Sequence, residues 1–286
     1  MLHTLEDLGN RIRSGETSVV WIYDNIQRNY IAWNQTVSNK NTMRTGTAAT
    51  LLVMDGVSKD DLDPKALANR LRLRDKLTFD DLINDLDQKH LDNIGKATLL
   101  SVWTKYIESL REFSPEATEL FTDKYKKRPL RLRKSVYFSL KTSSIDESRP
   151  VGAKDVLVDI ASQLKLQEAD FDDVLIPVAG DLVTVDRIRK LKRYTRTDVG
   201  SRSQHTWALP WIQLWHMKWT ALRSIYNTHW APNIGKHLYG LRSDCNTLQR
   251  KNLNPGKCDY HNHHEAPTVT FECLCIGALR CVLALS

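Results

Sequence analysis

The 286-residue sequence predicts an α/β fold with a mixed β-sheet, and three features of the chain carry that prediction. Two short apolar runs, residues 19–23 and 174–180, are typical of buried strands. A long region between them, residues 57–172, spaces its apolar residues as helices do. A strongly basic segment follows the second run, and its apolar residues recur every three positions, which indicates a further helix.

Residues 1–56 are predicted to hold the first three strands of the core as a meander. The runs are rich in β-forming side chains, and turn-forming residues such as the Asp55-Gly56 pair bound them. The three predicted strands are residues 19–23, 30–37 and 47–54.

Residues 57–172 are predicted to form a large, mainly helical insertion. Asp63 precedes Pro64, which is typical of an N-cap followed by the first helical position. Thr78 with Asp81 three positions later resembles a capping box. Such helix starts explain many of the acidic residues in this region as caps rather than metal ligands.

Residues 173–286 are predicted to hold the fourth strand, a basic helix, Trp-rich helices and a Cys/His-rich tail, so the C-terminal part is helical. The fourth strand ends in the Gly180-Asp181 pair. Three later tryptophans have the i, i+4 and i+8 spacing of one helical face, and they are Trp211, Trp215 and Trp219. That face is interpreted as part of the core, with a base-stacking surface as the alternative.

The balance of charge favours a polyanionic partner. The chain has 41 Lys and Arg against 34 Asp and Glu, a formal net charge of +7 and an isoelectric point of about 9.1. A moderate basic excess of this kind is typical of proteins that bind DNA, although a soluble protein can also be basic without such a partner.

The cysteines and the apolar segments indicate where the protein acts. All five cysteines lie in the last 42 residues, and their odd number and irregular spacing argue against a secreted disulfide protein. We therefore expect reduced thiols and a nuclear or cytoplasmic protein. No continuous apolar stretch reaches about 18 residues, so the sequence predicts no membrane span.

Two acids follow the two buried runs, and the order of the elements brings them together. Three strands, a helical region, a fourth strand and a helix follow one another as in a ribonuclease-H-like core, where the first and fourth strands are neighbours. Asp24 and Asp181 would then lie side by side and bind Mg²⁺ or Mn²⁺, which relieves the repulsion between two carboxylates. Glu265 is the first candidate for a third acid and Asp259 the second. The alternative is that both aspartates are ordinary strand-end residues.

Two basic segments suit a phosphate backbone. Residues 124–134 contain seven basic residues in eleven, and residues 187–196 contain six in ten. The alternatives are a solvated helix face, a surface loop and, for the first segment, a nuclear localisation signal. The candidate DNA contacts are Lys126, Lys127, Arg128, Arg187, Arg189, Lys190, Lys192 and Arg193.

The tail also contains ligand types that zinc prefers. The candidate set is Cys258, His261, Cys273 and Cys275, with His263 or His264 as alternatives to His261. The spacing is poor because no Cys-x-x-Cys pair occurs. The sequence has no Gly-rich phosphate loop and no nucleophile elbow, so we expect neither a nucleotide cofactor nor acyl transfer.

Residues 176–191, with their Gly-Asp-x-x-Thr-Val-x-Arg block, resemble the signature of a large fungal family of unknown function. Segments around Asp24 and residues 207–217 are similar to further blocks of that family, so the resemblance spans about residues 18–275. The family is similar to transposon-derived proteins, namely hAT and Mutator-type DDE transposases. That resemblance implies that Asp181 is the second catalytic acid. It also aligns His216 with a motif histidine, although Trp211 or Ile212 replaces the expected cysteine.

These observations predict a ribonuclease-H-like domain related to DDE/D transposases. Its expected activity is metal-dependent DNA strand cleavage or transfer with Asp24, Asp181 and Glu265 as Mg²⁺ ligands. The alternative is a catalytically dead nucleic-acid-binding or interaction module from a truncated mobile element, and a third interpretation is a zinc-stabilised structural domain. The sequence leaves the oligomeric state open.

Overall fold

A computed structural model of the chain describes residues 4–36, 39–126, 132–231, 240–250, 253–257 and 259–285. Within those residues the protein is a mixed α/β structure with one five-stranded sheet. In chain order the helices and strands are α1 (Leu5–Arg13), β1 (Ser18–Tyr30), β2 (Thr42–Met54), α2 (Pro64–Leu73), α3 (Phe79–Asn84), α4 (Gln88–Tyr106), α5 (Ser114–Glu119), β3 (Tyr137–Ser139), α6 (Pro150–Gln163), β4 (Ile176–Gly180), α7 (Leu182–Tyr194), α8 (Ser201–Gln204), β5 (Ala208–Ile212), α9 (Leu214–His229), α10 (Leu241–Thr247) and α11 (Tyr260–Leu285).

The chain folds into two compact units, and it passes between them more than once. The first unit comprises residues 1–76 and 133–216, and the second comprises residues 77–132 and 217–286. The predicted helical insertion, residues 57–172, is therefore divided, because α2 and α6 belong to the first unit.

The first unit contains the whole sheet, in the order β3-β2-β1-β4-β5. Strand β2 runs antiparallel to both β1 and β3, whereas β1, β4 and β5 are parallel. The β1–β4 pairing joins Trp21 to Val178 and Ile22 to Ala179. This pairing confirms that the first and fourth predicted strands are neighbours.

Two of the three strands predicted in residues 1–56 are confirmed, since residues 19–23 lie in β1 and residues 47–54 in β2, but the middle strand of the meander is wrong. Two strands of 13 residues each, β1 and β2, pair along their full length and replace the meander. Residues 31–36 form no strand, and the third strand of the sheet is β3, which comes after the helical region. Strand β1 instead continues through Asp24 and Asn25 to Tyr30, because pairing with β2 outweighs the turn propensity of these two residues.

The core of the first unit lies on the face of the sheet that α6 and α7 cover. Trp21 and Tyr23 are buried on this face with Ile160 and Ile188 from the two helices. The ring centroids of Trp21 and Trp207 are 5.0 Å apart in an edge-to-face arrangement. Alternation along β1 therefore directs Trp21 and Tyr23 into the core.

Beyond residue 23, β1 leaves the core. Residues 24–30 and 42–45 are half-buried or exposed, although the two strands remain paired. We call residues 27–30 of β1 and 42–45 of β2 the β1–β2 ribbon. The ribbon projects the exposed ends of both strands away from the packed part of the sheet.

Local capping signals in the sequence are confirmed. The Asp63 side chain accepts from the amides of Lys65 and Ala66 at the start of α2. Thr78 and Asp81 form a reciprocal capping box at α3. The prediction that three tryptophans share one helical face is wrong, because Trp211 lies on β5 whereas Trp215 and Trp219 lie on α9.

The second unit contains helices and no strand within the residues that the structure describes. The indole of Trp103 on α4 donates to the Cys275 carbonyl oxygen of α11 at 3.0 Å. The hydroxyl of Tyr226 on α9 donates to the His263 carbonyl oxygen at 3.0 Å. These bonds tie α4 and α9 to the long C-terminal helix.

Helix α11 is longer and more apolar than the sequence interpretation allowed. From Tyr260 to Ala284 it is long and apolar enough to cross a membrane by length and composition, and 17% of its most apolar window is buried. A core helix of a soluble protein can meet the same criteria, so this feature alone assigns no membrane.

Gly152 is a position where a side chain does not fit. A Cβ there would overlap the main-chain oxygen of Asp146 in the loop before α6. We expect Gly152→Ala to lower the free energy of unfolding by about 1–3 kcal/mol, as overpacking does. Gly95→Ala on α4 is the matched control, since nothing lies near its added Cβ and alanine favours a helix by up to about 1 kcal/mol. Urea denaturation of both variants tests this, and equal effects would contradict it.

Candidate functional site

Asp181 lies at the junction of β4 and α7. It is the N-cap of α7, and its Oδ1 accepts from the Thr184 amide at 2.6 Å. Gly180 precedes it where a Cβ would come within 2.5 Å of Thr184 Cγ2, so the turn requires a residue without a side chain. The predicted sequence of strand, Gly-Asp turn and helix is present.

Asp24 lies on β1, where the strand leaves the core. It is exposed, it follows the buried Tyr23, and its Oδ1 accepts from the Asn25 amide at 2.8 Å. The sequence predicted that Asp24 ends its strand, but β1 continues to Tyr30 because β2 pairs with it that far.

The parallel register aligns the two aspartates. Asp24 comes two residues after Ile22, and Asp181 comes two residues after Ala179, its partner. Neighbouring strands lie about 4.8 Å apart. Asp24 on β1 and Asp181, the first residue after β4, therefore come at corresponding positions in the register of the two strands.

Glu147 is a third acid at this place, and the sequence interpretation missed it. It lies in the loop between β3 and α6, with a side chain only 2% exposed. Its Oε1 is 3.5 Å from both Thr184 Oγ1 and Arg187 Nη1, whereas its Oε2 is buried without a hydrogen-bond partner. The fold thus buries a carboxylate against the first two turns of α7.

The pKa of Glu147 depends on its burial and on the charged groups around it. Burial raises the pKa of its carboxyl to about 7, the Arg187 guanidinium opposes that rise, and the negative charges of Asp181 and Asp24 add to it. Burial, together with Glu147 and Asp181, also raises the pKa of the Tyr23 hydroxyl far above its usual value, while Arg187 lowers it. Glu147, Asp24 and Asp181 are therefore one electrostatic cluster, which we call the acidic cluster.

Contacts of Asp146, the residue before Glu147, hold the Glu147 loop. The Asp146 carboxylate accepts from both the amide and the hydroxyl of Ser148, at 2.9 and 2.8 Å. Gly152 lets the first turn of α6 lie directly against the Asp146 carbonyl. The sequence contains one signal for this arrangement, the glycine two residues after Pro150.

The donor chemistry of the acidic cluster suits a hard divalent cation, because all its ligating atoms would be carboxylate oxygens. The present side-chain positions do not form a complete set of ligands. No three His, Cys, Asp or Glu side chains among the described residues converge closely enough to hold an ion. Arg187, beside Glu147, instead supplies a positive charge to the cluster.

The predicted third acid, Glu265, belongs to the second unit. It lies on α11, where its carboxylate pairs with Arg250. Asp259, the second candidate, accepts from the His261 amide and from the Asn262 side chain at the start of the same helix. Each acid therefore has a local role within its own unit.

Some of the predicted basic residues of α7 make contacts within the protein, and the others are exposed. Arg187 pairs with Glu147, and the Lys192 ammonium donates to the carbonyl oxygens of Thr206 and Ala208, where burial lowers its pKa. Lys190 also forms an ion pair, with Asp186 at 2.7 Å, but its side chain stays half-exposed. The exposed members are Arg189 and Arg193.

The remaining predicted sites are less well assembled. Lys126 is exposed in the second unit, whereas Lys127, Arg128 and the candidate zinc ligand Cys258 lie outside the described residues. Cys273 and Cys275 are two positions apart on α11, so they face nearly opposite directions. His261 precedes Cys273 by twelve helical residues, or about 18 Å. One zinc ion cannot bind all three on this helix.

His216, which the resemblance aligned with a motif histidine, lies in the first turn of α9. Its ring centroid is 4.9 Å from that of Trp215, in an edge-to-face arrangement. Trp211 and Ile212, the residues in place of the expected cysteine, belong to β5.

A family model matches residues 72–286, more than half of the chain, and describes a family of unknown function, DUF6589. The chain belongs to this family. The match confirms the predicted membership in a family of unknown function, and it includes Glu147 and Asp181 but not Asp24. No curated protein and no solved structure is significantly similar to the chain.

Asp181 combines a capping role with its place in the acidic cluster of this DUF6589 chain. We expect Asp181→Ala to lower the free energy of unfolding by about 1 kcal/mol, because the Thr184 amide loses its acceptor. Asp181→Asn should change stability by a few tenths of a kcal/mol, since asparagine caps helices equally well. Thermal or urea denaturation compares the pair. A large loss in Asp181→Asn would show that the carboxylate charge itself stabilises the fold.

Glu147 should make the protein less stable as the pH rises. Its pKa is raised in the folded state, so its contribution is most favourable below the ordinary value of 4.5 and is lost as the pH rises to about 7. Over that pH range the free energy of unfolding of the wild type should fall by about 3 kcal/mol more than that of Glu147→Gln.

Urea denaturation at pH 5 and pH 8, without divalent cations, measures this difference. Asp155→Asn, which removes an exposed carboxylate of α6, is the matched control and should keep the pH dependence of the wild type. If the free energies of unfolding of the wild type and Glu147→Gln changed equally with pH, the pKa of Glu147 would not be raised in the folded state.

Proposed function

We propose that this protein is a metal-dependent enzyme that cleaves or transfers DNA strands, with a ribonuclease-H-like domain related to DDE/D transposases. The observation that carries the proposal is the acidic cluster, in which the buried Glu147 senses the charges of both Asp24 and Asp181. Several carboxylates in one place favour binding of divalent cations, which can activate a water and stabilise a leaving oxygen in phosphodiester cleavage.

The topology supports the same proposal. The order β3-β2-β1-β4-β5, with β2 opposed to the other strands, is the order of a ribonuclease-H-like sheet. In such a sheet the first and fourth strands present acids side by side, which corresponds to Asp24 and Asp181 here. Similarity of fold does not by itself assign chemistry, so the carboxylates carry the argument.

We assign the third acid to Glu147 rather than Glu265. Glu147 lies in the same unit as the two aspartates and already interacts electrostatically with them. A bound Mg²⁺ would be held by Asp24 and Asp181 and, once Glu147 exchanges Arg187 for the ion, by Glu147 as well. The ion would supply the positive charge that the developing phosphorane needs.

The surface of α7 supports DNA as the substrate. Its exposed residues Arg189 and Arg193 lie on the helix that begins at Asp181, and a hollow near its end is lined by Lys190, Arg193 and Arg196. These side chains can contact phosphates without reading sequence. DNA bound along α7 would therefore extend toward the acidic cluster.

Nicking of supercoiled plasmid with Mg²⁺ or Mn²⁺ tests the assignment. We expect cleavage by the wild type, abolished by EDTA, and a loss of about 100-fold or more in Asp181→Asn and in Glu147→Gln. Glu265→Gln is the matched control and should keep activity within about twofold, because we place it outside the site. Full activity in Asp181→Asn would refute the catalytic proposal, and a loss confined to Glu265→Gln would restore Glu265 as the third acid.

A second candidate is a nucleic-acid-binding module without catalysis. The ion pair between Arg187 and Glu147 favours it, because a fixed guanidinium already neutralises part of the acidic cluster. This candidate predicts DNA binding that depends on salt but not on Mg²⁺, and no nicking by the wild type.

A further inference from the structure

We propose that the β1–β2 ribbon, together with Trp33, binds single-stranded nucleic acid. Arg28 and Arg44 would contact the phosphates, and a base would stack on the Trp33 ring. The link between this surface and cleavage rests on the proposed function, whereas the binding itself does not.

Among the residues that the structure describes, no third strand pairs with the ribbon. Strand β4 pairs with β1 at Trp21 and Ile22, and β3 pairs with β2 from Thr50 to Leu52, both nearer the core. Within the described residues, the nearest further pairing is the bridge between Thr47 and Ser143. The surface of the ribbon is therefore open to a partner.

Two arginines concentrate positive charge on one face of the ribbon. Arg28 and Arg44 are direct cross-strand partners, and their guanidinium carbons lie 5.1 and 5.0 Å from the centroid of the Tyr30 ring. Like charges placed opposite each other destabilise a sheet, and the contact with the ring offsets part of that cost. Among the described residues no carboxylate pairs with either arginine. An anionic partner would supply the missing counter-charge.

Trp33 adds a stacking surface near this charge. Its side chain is 96% exposed, and it follows the ribbon by three residues. A base that stacks on an aromatic ring contributes about 1–3 kcal/mol to single-strand binding. An apolar protein partner would cover Trp33 but would leave the two arginines without counter-charge. A nucleic acid supplies both a base for the ring and phosphates for the arginines, so the surface favours nucleic acid.

The ribbon is also aligned with the acidic cluster. Asp24, Ile26, Arg28 and Tyr30 alternate along β1 and so lie on one face of the strand. Asp24 and Arg28 are four residues apart, or about 13 Å, which a few nucleotides span. A strand held by the ribbon can therefore reach the carboxylate of Asp24.

Fluorescence anisotropy with a fluorescein-labelled 20-nucleotide oligothymidylate measures the binding directly. We expect Arg28→Gln with Arg44→Gln to weaken binding about tenfold and to lower the salt slope by about 1.4, or about 0.7 for each lost phosphate contact. Trp33→Ala should weaken binding at least about fivefold, whereas Trp33→Phe should retain most of it.

Arg70→Gln with Arg72→Gln is the matched control. It removes two exposed charges from α2 of the same unit, and we expect a change in affinity within about twofold. All measurements are made in EDTA and repeated in the Asp181→Asn background, so that binding is measured without cleavage of the oligonucleotide.

Wild-type affinity in the double arginine variant or in Trp33→Ala would overturn the proposal. Equal displacement of the oligonucleotide by polyglutamate would also overturn it, because the site would then be a general polyanion surface. Nicking that fails while this binding persists would refute the catalytic proposal and leave the ribbon assignment standing.

Discussion

The parallel pairing of β1 with β4 is the contact on which the rest of the first unit depends. Trp21 and Val178, which pair within it, are both fully buried. Because side chains alternate along a strand, a slip of one residue would turn Trp21 and Tyr23 away from the core. The same slip would displace Asp24 from Asp181. The apolar packing that fixes the core therefore also fixes the two carboxylates.

Sequence patterns predicted the structure where the signal was local. The Gly180-Asp181 turn before α7 and the cap at Asp63 follow from residue type alone. The patterns failed where pairing over a long distance decides, as in residues 31–36, which have strand propensity but form no strand. The residue type of Glu147 gave no signal either, since an acid before a helix resembles an ordinary capping residue and its burial depends on tertiary contacts, for which Gly152 was the one indication. Two of the three acids of the candidate site, the aspartates, were thus accessible from sequence.

The acidic cluster holds more negative than positive charge. Three carboxylates face one guanidinium, and the rise in the pKa of Glu147 shows that Arg187 offsets only part of the burial and repulsion. A proton or a divalent cation can each reduce the excess, so the two compete for Glu147. Such competition connects the stability of the fold with the chemistry that we propose, because the ligand that relieves the repulsion also stabilises the folded state.

The two outer strands of the sheet carry features that discourage strand addition. Strand β3 has three residues, and β5 has Pro210, which lacks an amide hydrogen. A second molecule therefore finds few main-chain groups with which to extend the sheet at either edge. The ribbon has neither a short strand nor a proline, and the charges of Arg28 and Arg44 are what oppose strand addition there. At high protein concentration, association through backbone pairing should begin there, and a bound ligand on the ribbon would suppress it.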